Sequence, residues 1–339
     1  MNDFLSFEDN ELSEIIALVN DAELFFHPEY SVDGRINYKD LFKLKSKQNS
    51  VIFDRNIVSY LIEYTTNGIL RDEKNMNLIA LIMLYCNANF FQISIGFALQ
   101  EYFSSTNKEE KIQEELDKFL TISEDYPSMI WKRVLYSNDK HIPKVDKIKN
   151  YKRKIEDFTD KSGHQLMNEC QMLVLARIYK KNISKKEKMI EFIKWNFENT
   201  LISKYTFTYA ILLYGGHKEI KPPKNINSKD FEKVLKGCIN QSWDLTYLSA
   251  WSTLYCGENK TDSTYFFVTN DYVLKLIFYA THSVDVLENL FNRKDSIEIK
   301  ELIKELQENR VNPNVEIDTL KKLLEKEKKE LREAFASKI

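Results

Sequence analysis

The sequence predicts an α/β fold: a short parallel sheet flanked by helices, enlarged by a large helical insert and a C-terminal helical arm. Three observations predict it. Glycine and proline are scarce, 8 and 6 residues in a chain of 339, which argues against an all-β sandwich with its many turns. Most of the chain carries apolar residues at helical spacing. Three short apolar stretches break that pattern, Ser50–Phe53, Phe90–Ile95 and Tyr265–Thr269. Each precedes a helix-like run, as buried parallel strands do in α/β proteins.

In chain order, Asn10–Val19 places Leu12, Ile15, Ile16 and Val19 on one helical face. The first strand closes on Asp54, and helical patterns follow over Arg55–Tyr64 and Asn75–Tyr85. The second strand leads through Gly96 to Glu101. Helical spacing then recurs over Ile112–Ile122, Gln165–Tyr179, Lys186–Asn199 and Tyr205–Tyr214. Trp243-Asp244-Leu245 is expected to open a helix through Ala250 and Trp251. The third strand ends at Asn270-Asp271. Val315–Phe335 sets Ile317, Leu320, Leu324 and Leu331 on one face amid dense charge. Such a helix docks on the body or joins a homo-oligomer; three spaced leucines do not establish a coiled coil. The implied organisation is a helical extension over 1–49, a core from 50–107 and 237–282, a helical insert over 108–236, and C-terminal helices over 283–339.

Charge divides along the same lines. The formal net charge is −2, but Lys140–Lys236 holds 22 Lys and Arg against 11 Asp and Glu, net +11, leaving −13 elsewhere. The runs Lys144–Lys154 and Lys180–Lys188 supply much of it. Each run alone is most simply a solvated helix face. Together they suit a grip on phosphate, since clustered lysines hold a nucleic-acid backbone without reading bases. Lys152, Arg153 and Lys154 are the candidate backbone contacts. Tyr151, Tyr179, Trp195, Tyr205 and Phe207 could stack on unpaired bases, although core packing is the simpler role for Trp195 and Phe207.

Several function classes are excluded. No G-x-G-x-x-G or G-x-x-x-x-G-K-[ST] occurs, which argues against a Rossmann dinucleotide site and a P-loop. Cys86, Cys170, Cys238 and Cys256 form no C-x-x-C pair, so neither a zinc cage nor a disulfide framework is expected. The first residues lack the basic and apolar regions of a signal peptide. The longest apolar runs are too short to span a bilayer. A cytoplasmic protein with no membrane partner is expected.

The chemistry concentrates in four carboxylates. Asp54 follows the first strand, Glu101 the second, Asp271 the third, and Asp244 lies 27 residues before Asp271. Ligands bind outside the carboxyl ends of strands in such sheets. Acids there suit Mg²⁺ or Mn²⁺, hard ions that prefer oxygen ligands and promote phosphodiester hydrolysis. Asn56 and Thr269 could orient a carboxylate or a water. Each acid also has a plain structural role: Asp54, Asp244 and Asp271 could cap helices, and Glu101 could be an ordinary half-exposed helix residue.

Three pieces together, Val51-Ile52-Phe53-Asp54-Arg55-Asn56, Ala98-Leu99-Gln100-Glu101, and Asp244–Leu248 followed by Tyr265–Asp271 and a helix, resemble the PIN-domain nuclease family. The resemblance covers roughly 50–101 and 237–280, under half the chain. It implies an α/β/α fold and a metal-dependent ribonuclease cutting single-stranded or structured RNA, of a kind that includes toxins and RNA-processing enzymes. A toxin or defence effector with an inhibitor or partner protein would fit it. The resemblance makes Asp54, Glu101, Asp244 and Asp271 the acidic site, with Asn56 and Thr269 beside them. The long interval between Glu101 and Asp244 departs from compact family members. It leaves Glu169, on a helix inside the insert, as the alternative second acid. Two other functions remain open: a structure-selective DNA nuclease, and a non-catalytic scaffold that binds a protein partner.

Overall fold

The computed structural model describes residues 9–36, 47–145, 147–151 and 155–336. The chain forms two compact units, Met1–Asp160 with Thr253–Asp271, and Lys161–Ser252 with Tyr272–Ile339. The first is α/β and the second is helical. The four segments expected above do not map one to one onto these units: residues 108–160 fall in the first, and 237–252 and 272–282 fall in the second.

The α/β unit holds a four-stranded sheet of order β1-β4-β2-β3, built from β1 (Phe25–Phe26), β2 (Gln48–Phe53), β3 (Gln92–Ser94) and β4 (Ser263–Val268). The three strands expected from sequence are β2, β3 and β4, and they run parallel. The register of β2 on β4 runs from Gln48↔Ser263 to Phe53↔Val268. Val51, Ile52, Phe53, Phe266, Phe267 and Val268 are all buried, so these strands show continuous apolar runs rather than alternation. The extension over 1–49 is not purely helical. After α1 (Asp9–Ala22), Phe25 and Phe26 pair antiparallel with Val268 and Phe267. Two residues are too few to show a periodicity, and tertiary pairing alone defines this strand.

Around the sheet lie α2 (Arg55–Asn67), α3 (Glu73–Ala88), α4 (Gly96–Thr106), α5 (Glu109–Asp125), α6 (Ser128–Tyr136) and the short α7 (Glu156–Thr159). The helix α3 buries Met76 and Ile79–Cys86 and packs against α1 and α6. Its apolar surface continues almost all round, as befits a helix inside a core.

The helical unit contains α8 (Gly163–Tyr179), α9 (Lys185–Asn199), α10 (Lys204–Gly215), most of α11 (Phe231–Tyr255), α12 (Tyr272–Ser283), α13 (Val286–Leu290), α14 (Arg293–Glu308) and α15 (Ile317–Ala336). Ser184 caps α9 in a reciprocal capping box with Glu187, satisfying two backbone donors at once. The C-terminal arm is a docked helix: α15 lies along α8 and buries Leu320, Leu324, Leu331 and Phe335. Glu327 is buried with them, 3.2 Å from the Arg177 guanidinium and 2.9 Å from the Trp195 indole nitrogen.

One expected boundary is corrected. Asp244 does not open a helix; it sits in the middle of α11, which begins at Phe231. Gly237, which ordinarily weakens a helix, is retained inside it for a packing reason. A Cβ there would lie 2.2 Å from the Lys224 carbonyl oxygen, so only glycine admits the incoming loop.

Candidate active site

Asp54 and Thr269 follow directly on the paired ends of β2 and β4. The ladder continues past Phe53↔Val268, with the Asp54 N–H donating to the Val268 carbonyl at 3.1 Å. Parallel pairing in this register sets Asp54 beside Thr269 at the carboxyl edge of the sheet. The Thr269 hydroxyl donates to Asp54 Oδ2 and accepts the Asp271 N–H at 2.9 Å. The expected aspartates at 54 and 271 are therefore linked through one threonine.

Asp54 also caps α2, its Oδ1 accepting the Ile57 N–H at 2.9 Å. Its side chain is enclosed, and the residue is only 2% exposed. Burial pushes its carboxyl from an ordinary 3.8 up to about 6, against the lowering influence of the Thr269 hydroxyl and Ile57 N–H. The neighbouring Asp271 charge raises it further, and the Asn56 backbone N–H lowers it. Thus Asn56 reaches Asp54 through its backbone, while the residue itself is exposed. No Lys, Arg or His among the described residues forms an ion pair with Asp54.

Replacing Thr269 by valine tests this linkage. The shape is nearly kept while Asp54 Oδ2 loses its donor. Asp54 should then titrate at a higher pH than in the parent, read by carbon NMR of the carboxyl. A hydrogen bond to a charged group contributes about 1.5–3 kcal/mol, and the variant should be less stable by that order above the Asp54 midpoint. An unchanged midpoint would contradict the linkage.

Arg55 is a site residue whose role lies outside the sequence reading. Its guanidinium pairs with Glu115 on α5, with Nη2 to Oε2 at 3.0 Å. It also donates to the Ala98 carbonyl at 3.5 Å and lies 4.3 Å from the centre of the Tyr102 ring. These interactions fasten α4 to the first turn of α2, one residue from Asp54. Glu101 is half-buried in the second turn of α4, between Ala98 and Tyr102. The Arg55–Glu115 pair spans 60 positions, and no local sequence signal could have identified it.

The remaining candidates belong to the helical unit. Asp244 is half-buried on α11, and its charge is felt by Tyr209, whose hydroxyl accepts from Gln241 at 2.7 Å. Glu169 is buried on α8 as an internal ion pair, each oxygen 2.7 Å from Lys161 Nζ, with Gln165 donating at 3.0 Å. Its charge is compensated within its own unit. The backbone candidates Lys152, Arg153 and Lys154 lie outside the described residues. Of the five candidate stacking aromatics, three have packing roles. Tyr205 stacks on Phe278, Phe207 sits against Phe192 and Phe197, and Trp195 donates to Glu327.

Among the described residues, no three His, Cys, Asp or Glu side chains converge as a metal cage. What this edge does gather is two acids, Asp54 and Asp271, joined through the Asp271 backbone N–H and close enough for the charge of one to act on the other. Mg²⁺ commonly takes one or two protein carboxylates and keeps several waters, and the Asp54–Asp271 pair fits that demand. A buried acid beside a second acid, with no cation paired to it, is the electrostatic setting that a divalent ion relieves. No helix among the described residues is long and apolar enough to cross a membrane. No protein-family model, no curated protein and no solved structure matches the chain.

Proposed function

We propose that this chain is a metal-dependent endoribonuclease with a PIN-like core, hydrolysing RNA phosphodiester bonds. One observation carries the reading: Asp54 and Asp271 meet through Thr269 at the carboxyl edge of adjacent parallel strands. This is the edge where α/β sheets bind ligands, and two acids are an expensive thing to gather there without a use.

Asp54 and Asp271 would hold Mg²⁺ or Mn²⁺, which when bound supplies Lewis-acid stabilisation and a nucleophilic water at neutral pH. Thr269 fixes the Asp54 carboxylate and, through its second hydrogen bond, the Asp271 backbone. Burial of Asp54 removes competing water from that oxygen pair and strengthens its attraction for a cation. Arg55 holds α4 against this edge, so that Glu101 travels with the helix bearing on the Asp54 turn.

The test is incubation with single-stranded RNA, duplex RNA and DNA, each with Mn²⁺ and with EDTA, and with Asp271→Asn as control. Mn²⁺-dependent internal cleavage of RNA is expected. Loss of an outer partner of a metal ligand already lowers activity ~10–100-fold, so Asp271→Asn should lose at least that much. Cleavage confined to DNA, or RNA cleavage equal in EDTA and in the variant, would reject the proposal.

A further inference from the structure

The basic character of the chain does not remain evenly available. Nine Lys and Arg lie between Lys161 and Gly215. Lys161, Arg177, Lys181 and Lys186 are in ion pairs with Glu169, Glu327, Glu191 and Glu298. Lys180, Lys185 and Lys188 donate to the carbonyls of Ile226, Gly215 and Tyr179. Their positive charge is largely engaged in holding helices together.

The next segment is different. Lys218, Lys221, Lys224, Lys229, Lys233 and Lys236 are all exposed, and among the described residues none has an acidic partner. The loop that carries Lys224 is joined to the helix that carries Lys233 and Lys236. The loop after α10 is pinned by buried Ile220, Pro223 and Ile226, which leaves Lys221 and Lys224 outside. The Lys224 N–H donates to Gln241 at 2.9 Å, and the Asn225 side chain donates to the Lys233 carbonyl at 3.2 Å. The loop therefore lies directly on the first turns of α11, with Gly237 making the close approach. Lys233 and Lys236, three residues apart, share a side of that helix. Three acids intervene. Glu232 is paired with Arg332 at 3.0 Å, Asp230 accepts the Glu232 N–H at 3.0 Å, and Glu219 is exposed. The segment keeps a net +3 over Gly216–Lys236.

We infer that this surface, the Lys218–Lys229 loop and the first turns of α11, holds the sugar–phosphate backbone of RNA. The choice of RNA rests on the nuclease reading; the choice of surface rests on the lysines alone. Lysine is a point charge that holds phosphate without the planar fork needed to read a base. Trp195, Tyr205 and Phe207 are committed to packing, so none of these three adds a base-stacking platform to the lysines. Binding through this surface is therefore independent of sequence.

The experiment is fluorescence anisotropy of a labelled single-stranded RNA in EDTA, so that neither metal nor cleavage enters. It compares the parent, Lys221→Glu/Lys224→Glu/Lys229→Glu, and Lys194→Glu/Lys204→Glu, whose exposed lysines lie outside the segment. The triple variant should bind at least ~10-fold more weakly at low salt. Its log K against log salt should be shallower by about 2, because each single-strand phosphate that a lysine neutralises adds roughly 0.7 to that slope. Unfolding curves should match, since every altered side chain is exposed. Equal affinity in parent and triple variant, no RNA binding by the parent, or an equal loss per charge in the control would each overturn the inference. RNA binding without Mn²⁺-dependent cleavage would instead count against the nuclease reading alone.

Discussion

Arg55→Ala is expected to destabilise the α/β unit by about 3–5 kcal/mol, the range for removing one partner of a buried ion pair. The side chains of Arg55 and Glu115 are 20% and 7% exposed, so water replaces the guanidinium at the Glu115 carboxylate only in part. The variant also frees the Ala98 carbonyl and the Tyr102 ring face, both on α4. For a unit of this size the loss corresponds to a fall in unfolding temperature on the order of 10 °C. Adding Glu115→Gln should recover part of it, because the stranded charge disappears. A thermal melt of the single and double variants checks this. A double variant no more stable than Arg55→Ala would show that the buried Glu115 charge is not the cause.

The second large effect has the opposite sign. Asp54→Asn should stabilise the metal-free protein at neutral pH. Burial raises the Asp54 carboxyl to about 6 from 3.8. Its contribution to stability is therefore complete below pH 3.8 and is lost as pH rises through about 6. Above that pH the folded state carries a buried charge that disfavours it by up to about 3 kcal/mol, since each tenfold change in proton affinity is worth about 1.36 kcal/mol. Asparagine removes the charge while its oxygen can still cap α2 at the Ile57 N–H. In EDTA near pH 7.5 the variant should melt higher by roughly 6–12 °C. Near pH 4, where the parent carboxyl is largely protonated, the two should converge. A variant that melts no higher than the parent near pH 7.5 would show that the buried Asp54 charge does not disfavour the folded state.

What could be read from the sequence follows from what each element depends on. The strands β2 and β4 were legible because their buried C-terminal halves are apolar throughout and end in polar residues, whereas β3, with Gln92 and Ser94 exposed, was legible only from the apolar residues that flank it in Phe90–Ile95. Asp54, Thr269 and Asp271 were legible because they stand at the ends of β2 and β4. The strand β1 was not, because Phe25 and Phe26 become a strand only by pairing with β4. The start of α11 was missed because Gly237 and Asp244 look like a boundary locally, whereas Gly237 is there to admit the Lys224 carbonyl. The role of the insert lysines was also hidden. Whether Lys161 or Lys186 faces solvent or a carboxylate depends on Glu169 and Glu298, which the fold brings to them. The Arg55–Glu115 clamp depends on two helices whose packing no local pattern encodes.

The central claim, that Asp54 and Asp271 form a divalent-cation site, is tested most directly by titrating Mn²⁺ and following the free ion by electron paramagnetic resonance. The parent should bind Mn²⁺ near pH 7.5. Since a proton competes for Asp54, affinity should fall about tenfold near pH 5. Asp54→Asn and Asp271→Asn should each abolish the binding and its pH dependence. Parent protein that binds no Mn²⁺ at neutral pH, or that binds it equally well in both variants, would contradict the account.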